Sequence, residues 1–342
     1  MKQLAPRSSS AGENGCRTSR SIGVATSRNA FPSCRLAMPS FVVLSLLWTS
    51  IVVLAANPFL HGAIHVDAVF NIAHAGASSL APQNTLAAGR LAFELGADVW
   101  GIDVRRTSDG VLILMHDETL DRTTNVEELF PSRAPWCVEQ FTLEEIRLLD
   151  AGSWFVQSDP FGQINAGALS SDDLAAYVRE PVPTLREALA LVADRGWLID
   201  IELKPSGVHA TTQLIQETLR LIEETQTAEQ VMVSSFDHES LREIKRLAPT
   251  IPVGVLSIFM PPDPVRYLHQ LQADVYLPSL VGFTNDLLAD LSEAGIGVHV
   301  WTYNQIVQLE SLAHTPGIAG IYTDFPQRLE PILDRLPPAE HE

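Results

Sequence analysis

The sequence contains few cysteines, and this scarcity excludes several kinds of protein. Its 342 residues include three cysteines, Cys16, Cys34 and Cys137, of which only Cys137 lies beyond residue 60. A single thiol can form neither a disulfide framework nor a cysteine-ligated zinc site within the rest of the chain. Cys137 has no histidine near it in sequence, which argues against a catalytic thiol.

Basic charge is also scarce and is unevenly placed. The net charge is −18, yet residues 1–60 carry a net +5, so the remaining 282 residues hold a net −23. An acidic domain of this kind repels nucleic acid and anionic lipid surfaces, so we expect no nucleic-acid partner. The same charge is compatible with a role in solubility alone. The hydrophobic fraction of 46% suits a packed globular core.

An uncharged stretch, residues 36–60, follows the basic N-terminal tail. About 20 apolar residues span a bilayer, so this stretch is long enough for a single-pass transmembrane anchor. Because its basic flank is N-terminal, we expect residues 1–35 to form a disordered cytosolic tail and residues 61–342 to lie on the extracytosolic side. The alternative is a signal peptide with a cleavage site at Val53-Leu54-Ala55, which would release a secreted or periplasmic domain.

From residue 70 onward, apolar runs of strand length alternate with amphipathic helical segments. The predicted strands are 70–75, 99–104, 197–203, 231–236, 253–257, 275–279, 298–302 and 317–323. Eight strand–helix units predict an α/β fold, the TIM (β/α)8 barrel, in which the chemistry lies at the carboxyl ends of the strands.

One segment departs from this alternation. After the second strand, Ser-Asp-Gly at 108–110 predicts a tight turn, and the apolar run "VLILMHD" follows too closely for a crossover helix. Antiparallel pairing of the two runs places His116 opposite residue 101 or 102, beside Asp103.

Polar side chains end the first three barrel strands and the hairpin, so we expect them to converge at one mouth of the barrel. Carboxylates bind divalent cations, a lysine neutralises phosphate, and two histidines can act as general base and general acid. The set therefore predicts phosphoryl chemistry, although each residue alone could be a structural histidine, a helix cap or a surface ion pair. Its members are His74, Asp103, His116, Glu202 and Lys204.

Eight motifs resemble those of the glycerophosphodiester phosphodiesterases, in the same order from about residue 71 to 335. They are "IAHAGASSLAPQNTLAA", "GIDVRRTSDGVLILMHDETLDRTTN", "LDAGSWF", "PTLREAL", "IDIELK", "VSSF", "VHVWTYN" and "GIYTDFP". The resemblance implies a TIM barrel related to the phosphatidylinositol phospholipases C, with an insertion at about 117–182. It also implies hydrolysis of a glycerophosphodiester to glycerol 3-phosphate and an alcohol, with a Ca²⁺ or Mg²⁺ ion.

The resemblance also implies roles for individual residues. His74 and His116 match the catalytic histidines, Asp103 and Glu202 match two of three metal ligands, and Lys204 matches the phosphate-contacting lysine. Trp301 matches an aromatic residue near the glycerol pocket, and it could equally be a packing residue of the barrel.

Three positions depart from the pattern of the resembled family. Ala75 replaces a phosphate-binding arginine, Gln83 replaces a glutamate, and Gly101 stands where the third metal carboxylate should be. A glycine inside a strand also indicates close approach of another group to the backbone. The amide oxygen of Gln83 is a possible compensating ligand.

These losses leave three readings open. The first is a working phosphodiesterase with an altered metal site, and the second is a non-catalytic barrel that binds phosphodiesters or a protein partner at the membrane. The third is a phospholipase D-like activity on lysophospholipids or sphingolipids. An apolar rim around the barrel mouth would favour lipid substrates, whereas a closed polar pocket would favour substrates of glycerol size.

Overall fold

The computed structural model describes residues 57–59, 69–205, 208–279 and 283–336. Within these ranges, strands and helices alternate along the chain. The strands are β1 (Phe70–His74), β2 (Val99–Arg106), β3 (Leu112–Leu114), β4 (Leu198–Leu203), β5 (Val231–Ser235), β6 (Val253–Ser257), β7 (Val275–Pro278), β8 (Gly297–Val300) and β9 (Gly320–Thr323).

The helices cover the outside of the sheet or belong to the segment after β3. They are α1 (Leu86–Glu94), α2 (Val126–Leu129), α3 (Leu143–Ile146), α4 (Ser153–Ser158), α5 (Ser171–Tyr177), α6 (Leu185–Arg195), α7 (Val208–Thr225), α8 (His238–Leu247), α9 (Pro264–Leu271), α10 (Asn285–Glu293), α11 (Ile306–Ala313) and α12 (Pro326–Leu333), with a 3-10 turn at Val138–Gln140.

Eight strands form a closed parallel barrel. The strand order is β1-β9-β8-β7-β6-β5-β4-β2, and pairing of β1 with β2 closes the ring. All eight predicted strands are present, and their observed limits differ from the predicted ones by at most three residues. The largest difference is in β9, which begins at Gly320 and not at Gly317, where the backbone has a φ of 90°.

Side-chain caps start several of the barrel helices. Thr85 accepts a hydrogen bond from the backbone N–H of Ala88 at the start of α1. Thr184 and Glu187 form a reciprocal capping box at the start of α6, and Gly196 ends that helix in the left-handed region. These local signals set the first residue of α1 and both ends of α6.

The predicted hairpin is confirmed. Strand β3 runs antiparallel to the upper part of β2, with Val104 opposite Leu114 and Arg106 opposite Leu112. The backbone N–H of Met115 then donates to the carbonyl of Asp103 at 2.9 Å. The residues of the predicted insertion, about 117–182, form α2 to α5 and pack their own apolar cluster beside the barrel.

Residues 57–59 close the opposite, N-terminal end of the barrel. The side-chain amide of Asn57 donates to the carbonyls of Ala228 and Val231, each at 3.2 Å, and Phe59 is buried in contact with the barrel core. These residues fall inside the predicted anchor at 36–60 but pack as part of the barrel. Residues 36–56 and Leu60 of that anchor lie outside the described residues. Among the described residues, no helix has the length and apolar character needed to cross a bilayer.

Candidate active site

Neighbouring strands bring the predicted site residues to the C-terminal end of the barrel. His74 is the last residue of β1 and pairs with Gly101 of β2, while Asp103 pairs with Glu202 of β4. The hairpin delivers His116, which follows β3 by two residues. Because paired residues in parallel strands lie at similar heights, these side chains meet at one mouth.

Lys204 forms ion pairs with both carboxylates. Its Nζ lies 3.0 Å from Asp103 Oδ1 and 2.5 Å from Glu202 Oε1, and all three side chains are largely buried. Burial alone would raise the pKa of Asp103, but Lys204 and the two imidazoles outweigh it and hold this pKa well below its usual range. Burial and repulsion from Asp103 raise the pKa of Glu202. One ammonium thus neutralises only part of the acid at this site.

Asn84 holds Asp103 from the opposite side. Its side-chain amide donates to Asp103 Oδ2 at 2.8 Å, and its Oδ1 accepts from the backbone N–H of Asp103 at 3.1 Å. Asn84 has a φ of 54°, in the left-handed region that asparagine tolerates better than most residues. Sequence reasoning missed this residue, although it stands in the "PQNT" motif next to Gln83.

His74 is oriented by Asp324, which follows β9. His74 Nδ1 lies 2.8 Å from Asp324 Oδ1, and Ser78 and Asn304 also donate to this carboxylate, at 2.8 and 2.7 Å. Burial would lower the pKa of His74, but the hydrogen bond and the charge of Asp324 outweigh it and raise this pKa. Burial would raise the pKa of Asp324, but His74 and the other donors lower it.

An ionised Asp324 can only accept hydrogen bonds, so Nδ1 of His74 carries a proton and Nε2 is the nitrogen left for the cavity. Sequence reasoning missed Asp324. Its signal was a carboxylate directly after a barrel strand in the motif "GIYTDFP".

His116 has a different environment. Its Nδ1 lies 2.7 Å from Asp117 Oδ1, and Asp117 also pairs with Arg122. The His116 side chain is 46% exposed, and it lines the same cavity as His74. Gln83 does not line that cavity: its Oε1 accepts from Arg122 at 3.4 Å, in a weak contact at the surface. The structure therefore brings the two histidines together and leaves the possible compensating ligand outside.

The shared cavity has a volume of about 90 Å³ and two unlike walls. Its charged wall consists of His74, His116, Glu202 and Lys204, and its apolar wall consists of Phe236, Leu256, Leu277 and Trp301. Trp301 lines the cavity, packs against Phe236, and donates its indole N–H to the carbonyl of Leu277 at 2.9 Å.

Gly101 makes room for the ring of Tyr322. A Cβ at position 101 would lie 2.9 Å from Tyr322 Cε1, inside van der Waals contact, so the close approach predicted from the glycine is confirmed. The Tyr322 hydroxyl in turn donates to Asp200 Oδ2 at 2.5 Å. An aromatic ring therefore fills the place where the sequence motif predicts a third carboxylate.

Asp200 lies on the cavity floor and was missed by sequence reasoning. It stands two residues before Glu202 on β4, so both side chains share a face of the strand, which was the available signal. Ser234 donates to its Oδ2 at 2.9 Å, and burial raises its pKa from the usual value to about 7.

The mouth of the cavity has an apolar rim on the side of β5 and β6. Phe236, Ile258 and Phe259 are 43%, 56% and 83% exposed. Phe236 packs edge-on against Trp301, with ring centroids 5.7 Å apart, so the rim continues from the apolar wall of the cavity.

Asp103 and Glu202 fit a divalent cation with few protein ligands. Mg²⁺ is often bound by one or two carboxylates, with water and substrate phosphate completing its coordination, whereas Ca²⁺ takes six to eight oxygens. Within the described ranges, no three or more histidine, cysteine, aspartate or glutamate side chains lie close enough together to hold a metal ion.

Comparison with known proteins places this geometry in context. The model of the glycerophosphoryl diester phosphodiesterase family matches residues 74–328. The chain is 35% identical over 258 residues to a glycerophosphodiester phosphodiesterase of Caldanaerobacter subterraneus, covering 75% of this chain and 95% of that protein. It is 32% identical to another of Bacillus altitudinis, covering 77% of this chain and 98% of the relative.

A solved structure has the same fold. The phosphodiesterase of Oleispira antarctica in complex with the product sn-glycerol-3-phosphate aligns with a TM-score of 0.66 and 26% identity, covering 77% of this chain and 96% of that one.

Proposed function

The chain belongs to the glycerophosphoryl diester phosphodiesterase family, and we propose that it hydrolyses a glycerophosphodiester to sn-glycerol 3-phosphate and an alcohol. The observation that carries this proposal is the single cavity lined by two imidazoles and Lys204. A general base, a general acid and a cation beside one small cavity are the groups that phosphodiester hydrolysis requires. Retention of all three argues against a barrel that only binds phosphodiesters.

His74 is suited to the role of general base. Asp324 fixes its Nδ1 proton, so Nε2 can take a proton from the attacking hydroxyl, and the resulting imidazolium is stabilised by the carboxylate. His116 is more exposed and can donate a proton to the oxygen of the departing alcohol as the phosphorus–oxygen bond breaks. Lys204 provides positive charge for the phosphate. The attacking hydroxyl belongs either to water or to the glycerol, and both routes end in net addition of one water molecule.

We propose that Asp103 and Glu202 hold the divalent cation, Ca²⁺ or Mg²⁺. Two buried carboxylates share one ammonium, so a divalent ion together with the singly charged phosphodiester would bring the site to neutrality. When bound, the ion supplies charge stabilisation to the phosphate. Titration calorimetry with Mg²⁺ and Ca²⁺ tests this, and heat that persists in Asp103→Asn would argue against the assignment.

The activity itself is tested with the purified full-length chain and glycerophosphocholine, by measuring release of sn-glycerol 3-phosphate. His116→Ala should lower the rate about 10²- to 10⁴-fold, the range that general acid–base catalysis contributes. His314→Ala is the matched control, because His314 is exposed at the end of α11 and its Nδ1 bonds to the Glu310 carbonyl of that helix. Equal rates for both variants, or no release by the wild type with added Mg²⁺, would contradict the proposal.

The apolar rim favours a second candidate function, hydrolysis of a lipid phosphodiester such as a lysophospholipid or sphingolipid. Ile258 and Phe259 follow β6 at the end of the barrel where the cavity opens, and their exposed apolar surface is what an acyl chain leaving the mouth would contact. Comparison of glycerophosphocholine with lysophosphatidylcholine decides between the two. A higher kcat/KM for the lysolipid would favour the lipid function.

We also propose that residues 36–56 direct the barrel to the extracytosolic side, as a membrane anchor or as a cleaved signal. The support is the uncharged stretch and its basic N-terminal flank. Proteolysis of spheroplasts, whose outer envelope is open and whose plasma membrane is sealed, tests this. An anchored, exported barrel should be digested while the N-terminal tail stays protected, and a barrel protected in spheroplasts would contradict export. Recovery of the barrel in the medium or in the periplasmic fraction would indicate a cleaved signal.

A further inference from the structure

Asp200 carries a buried carboxylate oxygen whose partner is missing from the protein. The residue is 3% exposed, and both Tyr322 and Ser234 donate to its Oδ2. Its Oδ1 has no hydrogen-bond partner among the residues that the structure describes. Since buried carboxylate oxygens normally accept hydrogen bonds, this atom needs a donor from something that enters the cavity.

The cavity that Asp200 lines can admit a small polyol. Its volume of about 90 Å³ is several times the ~10–15 Å³ that one water molecule requires, so a three-carbon chain with hydroxyl groups fits. Ser234 and Tyr322 line the cavity beside Asp200, so its inner part presents polar groups to such hydroxyls.

Asp200 also lies at the right depth. It precedes Glu202 by two residues on β4, so it lies about 6.6 Å further into the barrel, at ~3.3 Å per residue. Lys204, the cation proposed to face the phosphate, directly follows the last residue of the same strand. A glycerol group attached to a phosphate at Lys204 would point its carbon chain toward Asp200.

We infer that Asp200 Oδ1 accepts a hydrogen bond from a hydroxyl of the substrate's glycerol group and so selects polyol phosphodiesters. This rests on the proposed function. Gly101 and Tyr322 support this contact. Because residue 101 has no side chain, the Tyr322 ring fits beside it, and the Tyr322 hydroxyl donates a hydrogen bond that orients Asp200. Position 101 thus contributes to substrate selection through its lack of a side chain.

The test compares two ligands that differ only in their hydroxyl groups, sn-glycerol 3-phosphate and 1-propyl phosphate. Binding of each to the full-length protein is measured by calorimetry, in the wild type and in Asp200→Asn. The wild type should prefer glycerol 3-phosphate by about fivefold or more, as for one hydrogen bond worth about 1 kcal/mol. Asp200→Asn should reduce that preference to less than about threefold. Asp98→Asn, the same chemical change outside the cavity, should keep the wild-type preference.

Equal preference in wild type and Asp200→Asn would overturn the inference, and so would a wild type that binds both ligands equally. A circular dichroism melt of each variant checks that the fold survives, and if Asp200→Asn does not fold, Asp200→Ser provides the second variant. The outcome is separable from the proposed function. If the wild type hydrolyses glycerophosphocholine and Asp200→Asn keeps the wild-type ligand preference, the proposed function stands and the role of Asp200 is wrong. If Asp200→Asn loses the preference but the wild type shows no turnover, the role of Asp200 stands and the proposed function is wrong.

Discussion

His299 lies in the barrel interior and should make the stability of the domain depend on pH. It is the third residue of β8, 1% exposed, and it packs near the rings of Phe70 and Tyr322, with centroids 6.0 and 6.5 Å away. Its Nδ1 has no hydrogen-bond partner within the described part of the chain. Burial lowers the pKa of His299 from its usual value near 6.5 to about 3, with no other cause contributing.

The sign of the effect follows from proton linkage. Below pH 6.5 the unfolded chain gains a proton at this histidine, while the folded barrel keeps it neutral until about pH 3. The stabilisation is therefore complete above pH 6.5 and is lost as the pH falls, at about 1.4 kcal/mol per pH unit. Between pH 6.5 and 5.0 the wild type should lose about 2 kcal/mol of unfolding free energy at this residue.

His299→Leu removes the titration and keeps an apolar side chain of similar volume. Urea unfolding of both proteins at pH 7.0, 6.0 and 5.0, at constant ionic strength, gives the difference in unfolding free energy. Other titrating groups cancel in this difference, which should shift by about 2 kcal/mol in favour of the variant toward pH 5. Parallel curves for the two proteins would refute the reasoning and indicate that His299 is protonated or hydrated in the folded state.

Three further results are expected. Asp324→Asn should lower kcat for glycerophosphocholine by at least tenfold with little change in KM, because His74 loses its orienting carboxylate; an unchanged kcat would contradict this. Gly101→Glu alone should lower the melting temperature, because its Cβ would clash with the Tyr322 ring. Adding Tyr322→Ala to the same protein should recover part of that loss. If the losses of the two substitutions simply add, the two side chains do not clash. Phe259→Ser should raise KM for lysophosphatidylcholine but not for glycerophosphocholine. Equal effects on both KM values would show that the rim does not bind the lipid.

The barrel was predictable from sequence because each buried parallel strand is a short apolar run between helix signals. The hairpin was predictable for a similar local reason. The apolar run after Ser-Asp-Gly begins too soon for a crossover helix to fit between the two strands, so they pair antiparallel. His116 then reached Asp103 as a consequence of strand pairing. In these cases the information lies within a few residues of the feature itself.

The partners that tune the site were not predictable in the same way. Asp324 meets His74 across 250 residues of sequence, and Tyr322 meets Asp200 across 122. Such contacts depend on barrel closure, which brings β9 beside β1 and sets which side chains share a layer. A sequence motif can indicate that these residues are unusual, but their hydrogen-bond partners follow only from the closed barrel.

Gln83 and Asn84 illustrate a second limit. Sequence reasoning named Gln83 as a possible compensating ligand, because it replaces a glutamate of the resembled family. The structure instead gives the contact with Asp103 to Asn84, whose left-handed backbone turns its side chain toward β2. Adjacent residues in such a loop point in different directions, so a motif position alone does not decide which one reaches the site.

Position 101 connects the altered motif to the chemistry. A glutamate there would add a third acid to a site in which two carboxylates already share one lysine, and the charge would need a strongly held cation. With Gly101, the Tyr322 ring occupies that space and Asp200 becomes a fixed acceptor one layer deeper. The exchange removes a candidate ligand for the cation and leaves an acceptor on the cavity floor.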